Sequence, residues 1–121
     1  MTITLPLPPK PLMPNWRSRV HWARTNALKA YRNVAWGRAL EALGGKHKAP
    51  QWARATTQAT FYLKVRREHD ADNLAASLKA AWDGLADAGL VTNDKGFTHL
   101  PPIVLIDRVN PRVELCVEQA S

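Results

Sequence analysis

A nearly alternating stretch followed closely by a helical pattern constrains this chain more than any other feature. Residues 55–65 alternate apolar or small side chains with polar ones, which is typical of a strand with one buried face. After a short charged break, residues 72–88 carry apolar residues at helical spacing, and Gly89 is a helix stop signal. The expected core residues of this helix are Leu74, Leu78, Ala81, Trp82 and Leu85. A strand that leads into an amphipathic helix predicts a sheet with helices packed against it.

Two N-terminal segments supply a further strand and a further helix. Residues 2–7 alternate until a proline-rich stretch ends strand pairing. Residues 26–43 are rich in helix formers, with Thr25 as the expected N-cap and Gly44 as the expected end.

Two C-terminal segments complete the pattern. Residues 102–109 form an apolar run that suits a buried central strand, and residues 112–119 alternate again after the turn signal at Asn110. These two segments are expected to form a hairpin. The chain is therefore predicted to be a single α+β (mixed α/β) domain over residues 1–121, in the order β-α-β-α-β-β, with a mixed sheet of about four strands packed against two helices.

The basic residues are concentrated in the first half of the chain. The net charge is +7, yet residues 10–54 hold ten basic residues and one acidic residue, so the remainder carries a net −2. Such a segment, which also holds four tryptophans, suits a phosphate-binding surface. A solvated basic face is an equally good interpretation of the charge alone.

Cysteine content and hydropathy exclude several classes. With Cys116 alone, neither an internal disulfide nor a cysteine-based zinc site within one chain is possible. No apolar run approaches the roughly 20 residues of a membrane-spanning helix, and the first ten residues lack a signal-peptide pattern. We therefore expect a cytoplasmic protein with no membrane partner, in which any metal has oxygen or histidine ligands.

Three carboxylates stand beside predicted element ends. Asp70 and Asp72 lie where the strand gives way to the second helix, and Asp94 lies in the loop after that helix. Mg²⁺ prefers oxygen ligands and commonly uses one or two carboxylates together with waters and substrate phosphate. A bend at the helix start would let the first two side chains converge on one ion.

Each of these residues also has a purely structural interpretation. Asp72 is a good helix N-cap, Asp70 favours the helix dipole, and Asp94 is an ordinary turn residue. Lys79 either extends back towards Asp72 or forms a surface ion pair with Asp83, four residues later. The four histidines are scattered and show no spacing typical of metal ligands.

The run RREHDADNLAASLKAAWDGLADAGLVTNDKGF, residues 66–97, resembles the core motif of the RusA-type Holliday junction resolvases, small phage and bacterial endonucleases. Its ordered features are an arginine-rich strand end, Asp-x-Asp-Asn, a lysine-bearing helix, the sequence DGLADAGLV and an acid shortly before an aromatic residue. The opening LPLPPKPL and YRNVAW elements are similar too, so the resemblance covers most of the chain.

The resemblance implies a homodimeric, Mg²⁺-dependent endodeoxyribonuclease, with Mn²⁺ as a substitute ion, that resolves four-way DNA junctions by paired nicks in recombination and repair. The metal-binding aspartates of the family match Asp70, Asp72 and Asp94. Ala76 stands where the best-known members carry a lysine, so the nearest equivalent is Lys79, or failing that Lys95. Asn93 replaces the first of two acids that often precede the aromatic residue.

Contacts with DNA phosphates are expected from seven basic side chains, which are Arg17, Arg19, Arg24, Lys29, Arg32, Arg66 and Arg67. Two alternatives remain open. The chain is a non-catalytic DNA-binding or recombination accessory module in which the aspartates only cap a helix, or it is a nuclease that prefers other branched DNA, such as flaps or forks.

Overall fold

A computed structural model of the chain describes residues 1–13, 21–65 and 71–120, with the side chains of residues 21, 71 and 72 outside the description. The described elements, in chain order, are β1 (Thr2–Leu5), α1 (His21–Leu43), β2 (Ala55–Leu63), α2 (Ala71–Ala76), α3 (Lys79–Asp87), β3 (Phe97–His99), β4 (Ile103–Ile106) and β5 (Arg112–Gln119). Short 3-10 turns occur at Lys10–Leu12, Lys46–Lys48 and Asp94–Gly96. The predicted α+β class, with one mixed sheet and helices packed on it, is confirmed.

β2 is the central strand of the sheet. β5 pairs antiparallel with one side of β2, and β1 pairs antiparallel with the far side of β5. β3 and β4 both pair in parallel with the other side of β2, β3 beside its first residues and β4 beside its last. The sheet has five strands where about four were expected, because the short strand β3 follows Asp94 without a sequence pattern long enough to indicate it.

The predicted C-terminal hairpin is wrong, because β2 lies between β4 and β5. Residues 107–111 cross the end of β2 instead of folding back on β4. The Asp107 carboxylate stabilises this crossing by accepting hydrogen bonds from the amides of Val109 and Asn110, each at 3.1 Å, and by pairing with Arg112 at 2.8 Å. A stable local turn is therefore present, but the two strands that it joins do not pair with each other.

The predicted burial of residues 102–109 is also wrong. β4 is an edge strand, and its four side chains are each 40–47% exposed. The central positions belong to β2 and β5, whose alternating sequences place one face against the helices and the other towards solvent.

The second predicted helix is divided into α2 and α3 at Ser77 and Leu78. The buried Ser77 hydroxyl donates to the Leu74 carbonyl at 2.6 Å, and the Leu78 amide bonds to the Ala75 carbonyl, only three residues back. A side-chain bond of this kind competes with the regular helical ladder, and the tighter turn interrupts it. As a result Lys79 is the first residue of α3.

Both predicted N-caps lie inside helices. α1 begins at His21, so Thr25 is within it, and Asp72 is the second residue of α2. A cap contributes only about 1 kcal/mol, so continued helix formers upstream can move a helix start past it. The predicted end of α1 is confirmed, since Gly44 has φ 81° and its amide bonds to the Leu40 carbonyl at 3.0 Å.

The core lies between the helices and one face of the sheet, and the predicted core positions of the second helix are confirmed: Leu74, Leu78, Ala81, Trp82 and Leu85 are buried. α1 and α3 are in close contact at Gly84. A Cβ at this position would overlap the backbone carbonyl oxygen of Arg32 and would lie 2.9 Å from the Ala35 Cβ. This contact fixes α3 and hence the residues at its N-terminus. Within residues 1–13, 21–65 and 71–120, no helix combines the length and apolar character needed to cross a bilayer.

Candidate active site

A cleft of about 430 Å³ lies where the helices α2 and α3 meet β2 and the residues around β3. Lys79 and Asp94, two of the four predicted catalytic residues, both line it. Ala76, which matches the position of a lysine in the resolvases that the sequence resembles, lines it as well. Side chains from two helices and a loop, separated by up to 18 positions in the sequence, therefore meet at one concave surface.

Asp70 lies outside the described residues. Asp72 is described only as part of the α2 backbone, so its carboxylate position is also outside the description. Asp94 opens the 3-10 turn Asp94–Gly96, which the Asn93 side chain caps by accepting a hydrogen bond from the Lys95 amide at 3.0 Å. The convergence of the three carboxylates stays a prediction.

Asp94 is exposed, and among the described residues it forms no ion pair. Its carboxylate is thus available as the oxygen ligand that Mg²⁺ prefers. No group of three His, Cys, Asp or Glu side chains that could hold a metal occurs among the described side chains. Asp70 and the Asp72 carboxylate lie outside these described side chains, so the predicted ligand set stays a prediction.

The aromatic wall of the cleft is formed by Trp82 and His99, whose ring centroids are 4.7 Å apart. Phe97 packs against both rings, at 5.6 Å from Trp82 and 5.9 Å from His99. His99 Nδ1 and the buried Thr57 hydroxyl share a hydrogen bond of 2.6 Å. Burial lowers the pKa of His99, so the imidazole is neutral near pH 7. A neutral ring at this position can give or take one hydrogen bond within the cleft.

His99 is a cleft residue that was not among the predicted site residues. The available signal was its position two residues after Phe97, because alternate residues of a strand share a face. That signal required β3 to be recognised first, and three residues are too few to show a period.

An acidic groove adjoins the cleft and shares Lys79, Asp83 and Asp94 with it. Lys79 does not pair with Asp83, so the predicted surface ion pair is absent between these two described residues. Lys79 is exposed and contributes its positive charge to both the cleft and the acidic groove.

Arg32 forms the other wall of this groove, where its guanidinium makes two hydrogen bonds to Asp87, at 2.6 and 2.8 Å. This hydrogen bonding raises the pKa of Arg32 and holds the pKa of Asp87 below its usual value. The pair links α1 to α3 across the helix layer. Arg32 was predicted to contact DNA, and to do so it would exchange Asp87 for a phosphate.

The remaining predicted phosphate contacts divide into two groups. Arg24 and Lys29 lie on α1, Lys29 is exposed, and within the described part of the chain neither forms an ion pair. Four others lie outside the described residues, and these are Arg17, Arg19, Arg66 and Arg67.

Comparison with known proteins adds one relative. No family model matches the chain. The chain is 38% identical over 103 residues to a protein of Xylella fastidiosa (strain Temecula1 / ATCC 700964) that is described as an uncharacterized protein. The match covers 84% of this chain and 65% of the relative, so it spans less than two thirds of the relative's length. That description assigns no activity, and the resemblance to the resolvases therefore depends on the motif residues themselves.

Proposed function

We propose that the chain is a Mg²⁺-dependent endodeoxyribonuclease that acts on four-way DNA junctions as a homodimer, in recombination and repair. The observation that carries the proposal is the cleft in which Lys79 and Asp94 meet beside Ala76. These residues come from separate parts of the resolvase-like motif. If the acids of the motif only capped helices, nothing would require these residues to line the same concave surface.

The donor set fits a hard divalent cation, because carboxylates are the only charged ligands that the motif offers and Asp94 is unpaired among the described residues. Asp70, Asp72 and Asp94 would hold the ion. Bound Mg²⁺ supplies an activated water and stabilises negative charge that develops on the scissile phosphate.

The other cleft residues would prepare the substrate. Lys79 adds a positive charge that attracts a backbone phosphate to the cleft, as a point charge on a flexible stem. Trp82 and His99 would place an aromatic wall beside the bound substrate. Arg24 and Lys29 on α1 would neutralise further phosphates, which makes binding sensitive to salt and largely independent of sequence.

A cleavage assay with a synthetic four-way junction tests the proposal. Wild-type protein is expected to nick the junction in Mg²⁺ or Mn²⁺ and not in the presence of a chelator. Asp94→Asn is expected to reduce the nicking rate by about 100-fold or more, because one ligand of the ion is lost. The same variant should still bind the junction in a mobility-shift assay, because binding depends on the basic side chains.

Asp83→Asn is the matched control, since Asp83 lines the same cleft but lies outside the predicted ligand set. It should nick at close to the wild-type rate. Wild-type protein that binds the junction and cleaves no branched DNA with either ion would overturn the nuclease proposal in favour of the accessory module. Equal cleavage of junctions, forks and flaps would instead identify a less selective nuclease.

A further inference from the structure

The edge strand β4 carries an apolar surface that the described fold leaves open. Its side chains, Ile103, Val104, Leu105 and Ile106, are 40–47% exposed, and the neighbouring Leu100 and Val109 are 45% and 94% exposed. Together they present on the order of 500 Å² of apolar surface, which is the size of the largest patch on a typical monomer. None of the four strand residues is charged, so β4 lacks the lysines that commonly protect a sheet edge.

The backbone of β4 is also open on its outer side. The Asp107 amide donates to the Leu63 carbonyl of β2 at 2.8 Å. Alternate residues of a strand point their backbone N–H and C=O groups to the same side. The backbone groups of Ile103 and Leu105 therefore also point towards β2. The N–H and C=O groups of Val104 and Ile106 therefore point outwards, away from the only strand with which β4 pairs in the described chain. A strand is the partner that suits this edge, because another extended backbone can satisfy the whole row of such groups at once.

We propose that the partner is a second copy of this chain, with the two β4 strands paired antiparallel about a twofold axis through Leu105. This register places Val104 opposite the partner's Ile106. The two residues then exchange two hydrogen bonds, each donating its amide N–H to the carbonyl oxygen of the other. It also places Leu105 against the partner's Leu105 on one face of the joined sheet. A twofold contact of this kind is self-complementary and closes after two copies.

The charge beside β4 and the area of its apolar surface are both compatible with a second copy of the chain as the partner. The acidic residue that follows the strand, Asp107, is paired with Arg112 at 2.8 Å, so its charge is balanced within each copy. Complete burial of these six residues in both copies would remove at most about 1,000 Å² from water, which is the threshold for a specific interface. The opposite sheet edge, β1, differs because it exposes threonines and is followed by prolines that end strand pairing.

The inference names the surface for the homodimer of the proposed function, but it is argued from β4 alone and its tests contain no DNA. A nuclease that fails to dimerise through β4, or a dimer that fails to cleave, would therefore be told apart.

Light scattering coupled to size-exclusion chromatography measures the first consequence. Wild-type protein should be a dimer at micromolar concentrations. Leu105→Lys should raise the dimer dissociation constant by at least about tenfold, because two like charges would face each other directly. Val34→Lys is the matched control, since Val34 is a 38% exposed apolar residue on α1, and it should leave the dimer unchanged. A monomeric wild type, or equal effects of the two lysines, would overturn the proposal.

Disulfide trapping tests the register. In a Cys116→Ser background, Leu105→Cys should cross-link two copies under mild oxidation, because residues facing each other at a non-hydrogen-bonded position have Cα atoms about 4.5 Å apart. Ile103→Cys is the control, because it lies on the same face but would be about 13 Å from its counterpart along the strands. Cross-linking at Ile103 and not at Leu105, on a non-reducing gel, would overturn the proposed pairing.

Discussion

β4 and β5 are the last two strands of the chain and both pair with β2, yet their surroundings differ completely. The inward side chains of β5, Val113, Leu115 and Val117, are fully buried under the helices, whereas every side chain of β4 is at least 40% exposed. β5 alternates and β4 does not. Alternation therefore identifies a strand with one buried face, whereas an unbroken apolar run identifies a strand with apolar side chains on both faces and does not show what covers them.

Truncating one leucine in each strand measures how much each environment contributes to stability. Leu115→Ala should lower the free energy of unfolding by about 2–5 kcal/mol, because it leaves a cavity in a closely packed core. Leu105→Ala should lower it by about 0.5 kcal/mol or less in the monomer, since the side chain is half in water. Urea denaturation, at a dilution at which the protein is monomeric, measures both values.

Similar losses for the two leucines would show that β4 is covered within the monomer. The same two variants should also be measured at high protein concentration, where the protein is dimeric. Leu105→Ala should then destabilise the protein more than it does in dilute solution.

The helix layer that covers β5 depends on the close contact of α1 with α3. Gly84→Ala should destabilise the fold by about 1–3 kcal/mol, because the added Cβ would meet the Ala35 side chain and the Trp36 backbone. Gly37→Ala in α1 is the matched control, since nothing lies within 4 Å of its added Cβ. It should raise stability by about 0.5–1 kcal/mol, because alanine is the better helix former.

Both glycine variants can be compared by thermal unfolding followed by circular dichroism. A stable Gly84→Ala variant would mean that α3 can move away from α1 without cost, and the helix layer would then not explain why β5 is buried and β4 is not.

The smallest expected effect concerns β3, the strand that shares the β4 side of β2. Burial lowers the pKa of His99 in the folded chain, so the unfolded chain binds more protons as the pH falls below about 6.5. The stability that neutral His99 contributes is therefore present above that pH and is lost as the pH falls through the lowered folded pKa. Three charged side chains line the same cleft as His99, and these are Lys79, Asp83 and Asp94.

His99→Gln should flatten the loss of stability between about pH 7 and pH 5, because glutamine does not titrate there but can still bond to Thr57. His47→Gln, at an exposed histidine in the turn Lys46–Lys48, is the control. An unchanged pH profile in His99→Gln would show that this ring is not desolvated in the folded state.

The cleft was only partly predictable from the sequence. The motif identified Asp94 and Lys79 as partners, and both line the cleft. It did not identify His99, which needed the strand β3, or the bond between Arg32 and Asp87, which are 55 residues apart. Contacts between residues so distant in the chain depend on how α1 packs against α3, and no local sequence pattern predicts that packing.

Local sequence patterns predict which residues of β2, β5 and the second helical segment face the core, and that α1 ends at Gly44. These features follow from side-chain periodicity and from the backbone freedom of glycine, both of which are local. The pairing of β4 with β2 instead of β5 has no such local signal, because it depends on how all the strands of the sheet are arranged. For the same reason the apolar run at residues 102–109, which was predicted to be a buried central strand, contains the exposed edge strand β4.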